Sequence, residues 1–431
     1  MTAEPKTKPG FYGWVNVAIL FFIYFSAFGG VFYSFSVIFP AMIKDLGWSR
    51  ADASIAHTSC IFMMGLLTPV LAVLIKKIGM KKTIILGLSV SSIALVLLST
   101  VTNNIYMWFV LWGLLIPIGF AFAGYIPIMT MIMMWFSVKR ATVLGIVLTS
   151  SAISGFLAQP GFAWLMGKYE SWQIAWAVCA GFTILALIAS FFLVGSPSDV
   201  GQHPDGISPE EAAEAAKNTS GQTMTYRSPV DWPLKNVFKN PVIWFITIMN
   251  IGHIQGLMLV TSHGIMHFTD QGFSTMQAAS VLSIIILSAG AARFPVGWLA
   301  DRIEPQKIAF CAMFLMFFGL IGIWKAPSLG LCTAAGVVYG FCYGAVLVLG
   351  PLLSGNYFGP EAFPKISGVL GPPLTVFTAV VPVFAGFIVE KFGNYNIAFA
   401  TVSAIILVGT ICILFASPPK PDFIEETVAE V

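Results

Sequence analysis

Long apolar segments alternate with short polar breaks along almost the whole chain. An α-helix needs about 20 apolar residues to cross the hydrocarbon core of a membrane, and twelve segments approach or exceed that length. The pattern therefore predicts twelve transmembrane helices. They fall at about 12–40, 52–75, 82–102, 105–135, 141–166, 171–194, 241–268, 274–300, 307–325, 330–358, 365–390 and 395–416.

One long polar stretch interrupts this pattern in the middle of the chain. It runs from Ser196 to Asn240 and separates six predicted helices from six. We therefore expect an all-α membrane protein built from two six-helix bundles. The predicted parts are an N-terminal bundle (1–195), a cytoplasmic linker (196–240), a C-terminal bundle (241–418) and a cytoplasmic tail (419–431).

The loop lysines and arginines lie mostly on one side of the predicted membrane. By the positive-inside rule, this distribution puts both termini and the linker in the cytoplasm. The short tails are typical of a bacterial inner-membrane protein. The loop cations that set this orientation are Lys76, Lys77, Lys81, Lys82, Lys139, Arg140, Arg302 and Lys307.

Composition narrows the function classes. The chain is 57% hydrophobic and 10% charged, which excludes an ordinary soluble domain, and its net charge of +3 reflects orientation rather than nucleic-acid binding. No GxSxG, HExxH, CxxC or Walker-type motif occurs, so we expect neither an enzyme nor a cofactor. His263 and His267 have helical i, i+4 spacing but no third ligand, so we predict no metal site.

The two halves of the sequence resemble each other weakly. A shift of 225 residues aligns "GLLTPVLAVLIKKIG" with "GAARFPVGWLADRIE" and pairs Gly65 with Gly290 and Lys77 with Arg302. Many secondary transporters are parallel six-helix repeats with a substrate site near the membrane midplane between the halves. The repeat therefore favours a transporter.

The loop "GWLADRIEPQK" resembles the G-x-x-x-D-R-x-G-R-R signature of the major facilitator superfamily, with Glu304 where the second glycine usually stands. The first-half copy has Ala72 and Lys76 in place of the glycine and the aspartate. The resemblance implies two six-helix bundles, a monomer, and a conformational role for the matching loop positions. Those positions are Gly297, Asp301, Arg302, Lys77 and Gly79.

Three further stretches resemble the monocarboxylate transporter family and its bacterial relatives, including oxalate/formate exchangers. They are "PGFYGWVNV", "WFSVKRATVLGIVLTSSAISG" and the arginine-bearing helix 8. The chain departs from proton-coupled members at Ala289, where they carry an aspartate, and near Tyr33, where they carry a lysine. It also lacks the second cation that oxalate exchangers have in helix 11. The resemblance implies transport of a small monocarboxylate.

Arg293 lies inside the apolar part of predicted helix 8. A charge there costs roughly 2.5 to 3.5 kcal/mol on insertion scales, and no predicted span has an acidic residue in its interior. Because guanidinium binds carboxylates in a bidentate manner, we predict that Arg293 binds a monoanion such as lactate or pyruvate. Alternatively, it bonds carbonyls of a broken neighbouring helix or reaches towards the cytoplasm.

Other polar residues occur at a similar depth. Asn250 and His253 share a face of helix 7 at i and i+3, and His253 can hydrogen-bond the substrate or carry a proton. An ordinary interhelical hydrogen bond is the alternative for His253. Tyrosines among glycines in helices 1, 4 and 10 can offer hydroxyls to an acid or simply pack. They are Tyr33, Tyr125 and Tyr343.

These observations predict a secondary transporter that moves a lactate-like or pyruvate-like acid by alternating access, with proton symport. The proton would travel on His253, or on the substrate itself if Arg293 can relax only when it is neutralised. Anion exchange, uniport and efflux of amphipathic compounds stay open as alternatives. The expected partners are the monocarboxylate, H⁺ and the lipid bilayer.

Overall fold

A computed structural model describes residues 10–48, 50–207 and 225–420, so part of the linker and the tail beyond residue 420 lie outside the described residues. Eleven described helices are long and apolar enough to cross a membrane, and one bent pair makes twelve. In the first half, the spans are α1 (Gly13–Ile23, Tyr24–Gly30 and Val31–Leu46), α2 (Arg50–Leu66 and Thr68–Ile78), α3 (Met80–Thr100), α4 (Ile105–Trp108, Phe109–Leu115, Ile116–Ala123 and Tyr125–Trp135), α5 (Arg140–Tyr169) and α6 (Gln173–Ser190). In the second half, they are α7 (Pro241–Asp270), α8 (Thr275–Ala300), α9 (Pro305–Lys325), α10 (Leu329–Phe358), α11 (Ala362–Phe392) and α12 (Asn396–Phe415).

Several spans are bent or interrupted where the sequence pattern predicts continuous helices. The α2 segments Ile55–Leu66 and Thr68–Ile78 meet at 50°, and Pro69 stands in the first turn of the second segment. Proline has no N–H for the preceding turn, so the helix bends there. Within α1, Tyr24–Gly30 is a stretch of π-helix, a form that occurs often at functional sites.

Both halves begin and end at the same end of the molecule, because each crosses the membrane six times. We call the end that carries the start of α1, the end of α6, the start of α7 and the end of α12 the linker face. The other end is the opposite face.

The first part of the linker packs against its own half. The Asp205 carboxylate accepts hydrogen bonds from the backbone N–H groups of Ser137 and Val138, at 2.7 Å each, in the turn between α4 and α5. This contact joins the linker to the turn that immediately precedes α5.

The second part of the linker lies across the end of α10. The N–H of Ser228 donates to the carbonyl of Asn356 at 2.7 Å, and the N–H of Trp232 donates to that of Phe358 at 2.9 Å. A short helix, Leu234–Lys239, then leads into α7. The linker thus satisfies carbonyls that the end of α10 leaves without helical partners.

Glycines bring α5 and α8 into direct contact between the halves. A Cβ on Gly145 would collide with the carbonyl of Arg293, and one on Gly297 would collide with the carbonyl of Ala141. Small residues allow membrane helices to approach this closely and gain van der Waals contact.

The same kind of contact joins α2 to α11, where a Cβ on Gly371 would collide with Thr68. It also joins α4 to α10, where a Cβ on Gly355 would collide with Met133. These contacts lie between the middle of the helices and the linker face. They close the linker face around a cavity at the centre of the molecule.

Candidate functional site

A cavity of about 780 Å³ lies between the two halves. It extends from Ser354 and Phe363 near the linker face to His57 and Ser262 towards the opposite face. Among the described residues that line it, Arg293 is the only Asp, Glu, Lys or Arg. All six residues that the sequence predicts for a substrate site line this cavity, namely Arg293, Tyr125, Tyr343, Tyr33, His253 and Asn250.

Arg293 lies on α8, is 4% exposed and reaches across to α5. Its Nη1 donates to the carbonyl of Leu148 at 2.6 Å and to the hydroxyl of Ser151 at 2.8 Å. Its Nε is buried and has no hydrogen-bond partner in the described part of the chain. Arg293 thus bonds a carbonyl of a neighbouring helix, as the alternative prediction proposed, although that helix, α5, is continuous rather than broken. The Arg293 Nε remains a buried donor without a described partner.

Tyr24 and Ser151 belong to the same cluster, although the sequence analysis did not single them out. The Tyr24 side chain, which is 3% exposed, hydrogen-bonds Ser151 beside the guanidinium of Arg293. A Cβ on Gly29 would meet the backbone of Ser151 at 2.7 Å, so this glycine lets α1 approach α5 closely.

The Tyr125 hydroxyl donates a hydrogen bond that links α4 in the first half to α10 in the second. It donates to the carbonyl of Leu347 on α10 at 2.8 Å. In a regular helix, that carbonyl would accept from the N–H four residues later, but this residue is Pro351, which has none. Tyr125 therefore lines the cavity while it satisfies a carbonyl that Pro351 leaves without a helical donor.

His253 packs against Tyr343. The two rings are stacked, with centroids 4.3 Å apart, and the His253 Nε2 lies 2.9 Å from the carbonyl oxygen of Tyr343. A carbonyl can only accept, so Nε2 carries the hydrogen and the neutral imidazole has its lone pair on Nδ1. His253 therefore makes the interhelical hydrogen bond that was predicted as the alternative to substrate binding, and it also lines the cavity.

His57 is a lining residue that the sequence analysis missed. Its ring stacks on Phe35 with centroids 4.0 Å apart, and the Trp112 Nε1 donates to its Nδ1 at 3.3 Å. The surrounding sequence, "DASIAHTSC", has no feature that distinguishes this histidine from one that only packs.

The predicted loop motif divides into two groups. The Asp301 carboxylate accepts from the N–H groups of Ala141 at 2.9 Å and Thr142 at 2.7 Å, in the first turn of α5 in the other half. A carboxylate at a helix N-terminus is favourable because it meets free N–H groups and the positive end of the helix dipole. Burial raises the pKa of Asp301, and these hydrogen bonds and Arg227, whose Nη2 is 3.9 Å away, oppose that rise.

The other motif residues have local contacts. Arg302 lies over the ring of Trp298 at 3.8 Å and donates to its carbonyl at 2.9 Å. Gly79 ends α2 with φ +82°, a conformation that favours glycine, and Lys77 is exposed beside it.

A linker residue caps α11 in the second half. The Asp231 carboxylate accepts from the N–H of Glu361 at 2.8 Å, immediately before α11 begins. In the sequence repeat, Lys76 stands where the second half has Asp301, so the end of α2 has no acid to offer α11. The linker supplies that acid instead.

Comparisons with known proteins agree with this architecture. The family model of the Major Facilitator Superfamily matches residues 20–324 and 264–429. The chain is 25% identical to monocarboxylate transporter 13 of Bos taurus over 95% of this chain and 89% of that protein. It is 24% identical to the agnestins efflux protein of Paecilomyces divaricatus over 86% of this chain and 78% of that protein. The crystal structure of the E. coli fucose:proton symporter superposes with a TM-score of 0.72 at 13% identity, covering 94% of this chain and 100% of that one.

Proposed function

The chain belongs to the major facilitator superfamily, and on that basis we propose that it moves a monocarboxylate across the membrane by alternating access. The observation that carries the proposal is Arg293, the only Asp, Glu, Lys or Arg among the described residues that line the central cavity. The similarity of the chain to monocarboxylate transporters supports the same substrate class.

Charge balance favours a monoanion. The described lining contains one cation and neither Asp nor Glu. A dicarboxylate would leave one carboxylate unpaired in a medium of low dielectric constant, where desolvation of a charge is costly. A monocarboxylate leaves the site neutral when His253 is neutral.

The proposed contact is a charge-assisted hydrogen bond to the part of the guanidinium that α5 does not occupy. Nη1 is used by Leu148 and Ser151, whereas Nε is a buried donor without a described partner. A buried donor of this kind is unfavourable until an acceptor reaches it. A carboxylate supplies both the acceptor and the compensating charge.

The position of Arg293 also suggests how binding and conformational change are coupled. Its hydrogen bonds cross from α8 to α5, which belong to different halves. If the halves separate at the linker face, these bonds must be replaced. A bound carboxylate can replace them, so the loaded carrier reorients more easily than the empty one.

We propose that transport is coupled to H⁺, as the sequence suggests, and that His253 or the substrate carries the proton. In neutral His253, Nε2 donates to Tyr343 and Nδ1 is free to accept a proton, so protonation leaves the bond to Tyr343 intact. In this proposal the linker face is cytoplasmic, the membrane is a bacterial inner membrane, and the carrier is monomeric.

Uptake of labelled monocarboxylates into proteoliposomes tests the proposal, with and without an imposed pH gradient. We expect uptake to increase when the outside is acidic and to be lost in Arg293→Ala and strongly reduced in Arg293→Lys, because lysine cannot form the bidentate pair. Lys168→Ala, an exposed cation at the far end of α5, is the control and should behave like the parent. Full transport in both Arg293 variants would refute the proposal.

Efflux of amphipathic compounds is a second candidate, supported by the mostly apolar lining and the similarity to an efflux protein. In that case Arg293 only joins the halves. A neutral amphipathic dye would then be transported, and monocarboxylates would not compete with it. Stimulation of uptake by a preloaded acid, without a pH effect, would instead indicate anion exchange.

A further inference from the structure

Apart from Arg293 itself, the described residues of α8 that line the cavity are apolar. On α8, Ile286 and Ala289 precede Arg293 by seven and four residues and line the cavity on the same side of the helix. Ile286 is therefore about 10 Å from Arg293 along the axis. Ile254 and Leu257 on α7 line the same cavity.

The apolar wall continues on the side of Arg293 nearer the linker face. There α11 contributes Phe363, Ile366 and Leu370 to the lining. The cation thus has apolar lining residues on both sides of it along the cavity, next to the polar side chains of Asn250, His253 and Tyr343. A ligand that reaches only the cation would leave most of the apolar lining in contact with water.

The size of the cavity supports the same conclusion. Pockets of roughly 300 to 1,000 Å³ enclose drug-sized ligands, and this cavity has a volume of about 780 Å³. Lactate or pyruvate would occupy a small part of it. Ala289, one helical turn before Arg293, takes up little of the cavity, because its side chain is a single methyl group.

From these observations we infer that the preferred substrate is a monocarboxylate with a bulky, ring-sized apolar body. The carboxylate binds Arg293, and the body lies against Ala289, Ile286 and the facing residues of α7. The inference rests on the proposed function, because it needs a carboxylate on Arg293. The affinity comes mainly from removal of apolar surface from water.

Calorimetric binding to the purified full-length protein tests the inference with three matched compounds, acetate, phenylacetate and phenylacetamide. We expect phenylacetate to bind about tenfold or more tightly than acetate, because even single methylene groups change affinity by such factors in apolar pockets. Phenylacetamide, which has the same body without the charge, should bind weakly or not at all.

The possible results separate the inference from the proposed function. If acetate binds as tightly as phenylacetate and the amide does not bind, the bulky body is wrong and the proposed function stands. If the amide binds as tightly as the acid, or if no acid binds, both are wrong.

A pair of adjacent substitutions locates the body. Ile286 lines the cavity, whereas Leu287 is 58% exposed and is not part of the described lining. Ile286→Trp should lower the ratio of phenylacetate to acetate affinity about tenfold, because the indole occupies the space of the ring. Leu287→Trp should leave that ratio as in the parent. An equal ratio in the two variants would place the body elsewhere and overturn this part of the inference.

Discussion

Arg293 shows what a single residue reveals in sequence and what it conceals. A cation inside an apolar segment is conspicuous, so its cost alone was enough to mark Arg293 as a candidate site residue. Its hydrogen bonds to Leu148 and Ser151 were not, because hydroxyl residues are common in membrane helices and nothing in sequence marks the one that faces a partner. Tyr24 was missed because it begins the π-helical stretch of α1, where regular helical spacing does not apply.

Tyr125 provides a prediction at the scale of single residues. Tyr125→Phe keeps the ring but leaves the Leu347 carbonyl without a donor, because Pro351 has no N–H to offer it. A buried carbonyl without a donor costs about 1 to 3 kcal/mol, so we expect a lower unfolding temperature in detergent. A calorimetric or fluorescence melting curve measures it.

Tyr339→Phe is the matched control on α10. The Tyr339 hydroxyl is buried and has no hydrogen-bond partner among the described residues. Its removal should leave the unfolding temperature unchanged or raise it slightly. Equal destabilisation by both substitutions would show that the bond from Tyr125 to Leu347 does not matter.

At the scale of helices, the lengths of the apolar segments predicted the number and order of the membrane spans, because each crossing needs about 20 apolar residues. The π-helical stretch in α1 was not predictable, because it depends on packing between helices. The 50° bend in α2 has a sequence signal in Pro69, but the pattern of apolar segments alone does not include it. Of the two acidic residues that cap α5 and α11, the sequence pattern marks only one. Asp301 lies within a recognisable motif, whereas Asp231 lies in a linker whose sequence shows no such pattern.

Asp231→Asn tests whether the linker anchors α11. The substitution removes a negative charge from the N-terminal end of the helix, where such a charge contributes about 0.3 to 1 kcal/mol. We expect a modest fall in the unfolding temperature and faster hydrogen exchange at the Glu361 N–H, measured by mass spectrometry. Glu390→Gln, near the other end of α11, is the control. Unchanged exchange at residue 361 would contradict a capping role.

For the whole molecule, the sequence repeat predicted that two similar halves would enclose a central site. It does not indicate which face of the molecule is closed, because that depends on contacts between side chains distant in sequence. In the structure, the contacts at Gly145, Gly297, Gly355 and Gly371 close the linker face. An alternating-access carrier must break these contacts in its other conformation, since the cavity has to open there.

Gly145→Val tests this requirement. Its side chain would collide with the carbonyl of Arg293 and meet the Phe294 Cα at 3.1 Å. Overpacking of this kind costs about 1 to 3 kcal/mol, and the cost falls on the conformation in which α5 and α8 touch. The population ratio should therefore shift about 5- to 150-fold towards a molecule open at the linker face.

Distances between spin labels measure this shift, in a background without the native cysteines. Labels at the exposed positions Lys77 and Lys307 report on the linker face, and labels at Lys168 and Lys325 report on the opposite face. In Gly145→Val the first distance should lengthen and the second should shorten. Gly167→Val is the control, because a Cβ on Gly167 meets nothing within 4 Å. Both glycines lie on α5. If the label distances change in Gly145→Val and not in Gly167→Val, the effect comes from the contact with α8 rather than from helix propensity. If the distances stay the same in Gly145→Val, this contact does not hold the linker face closed.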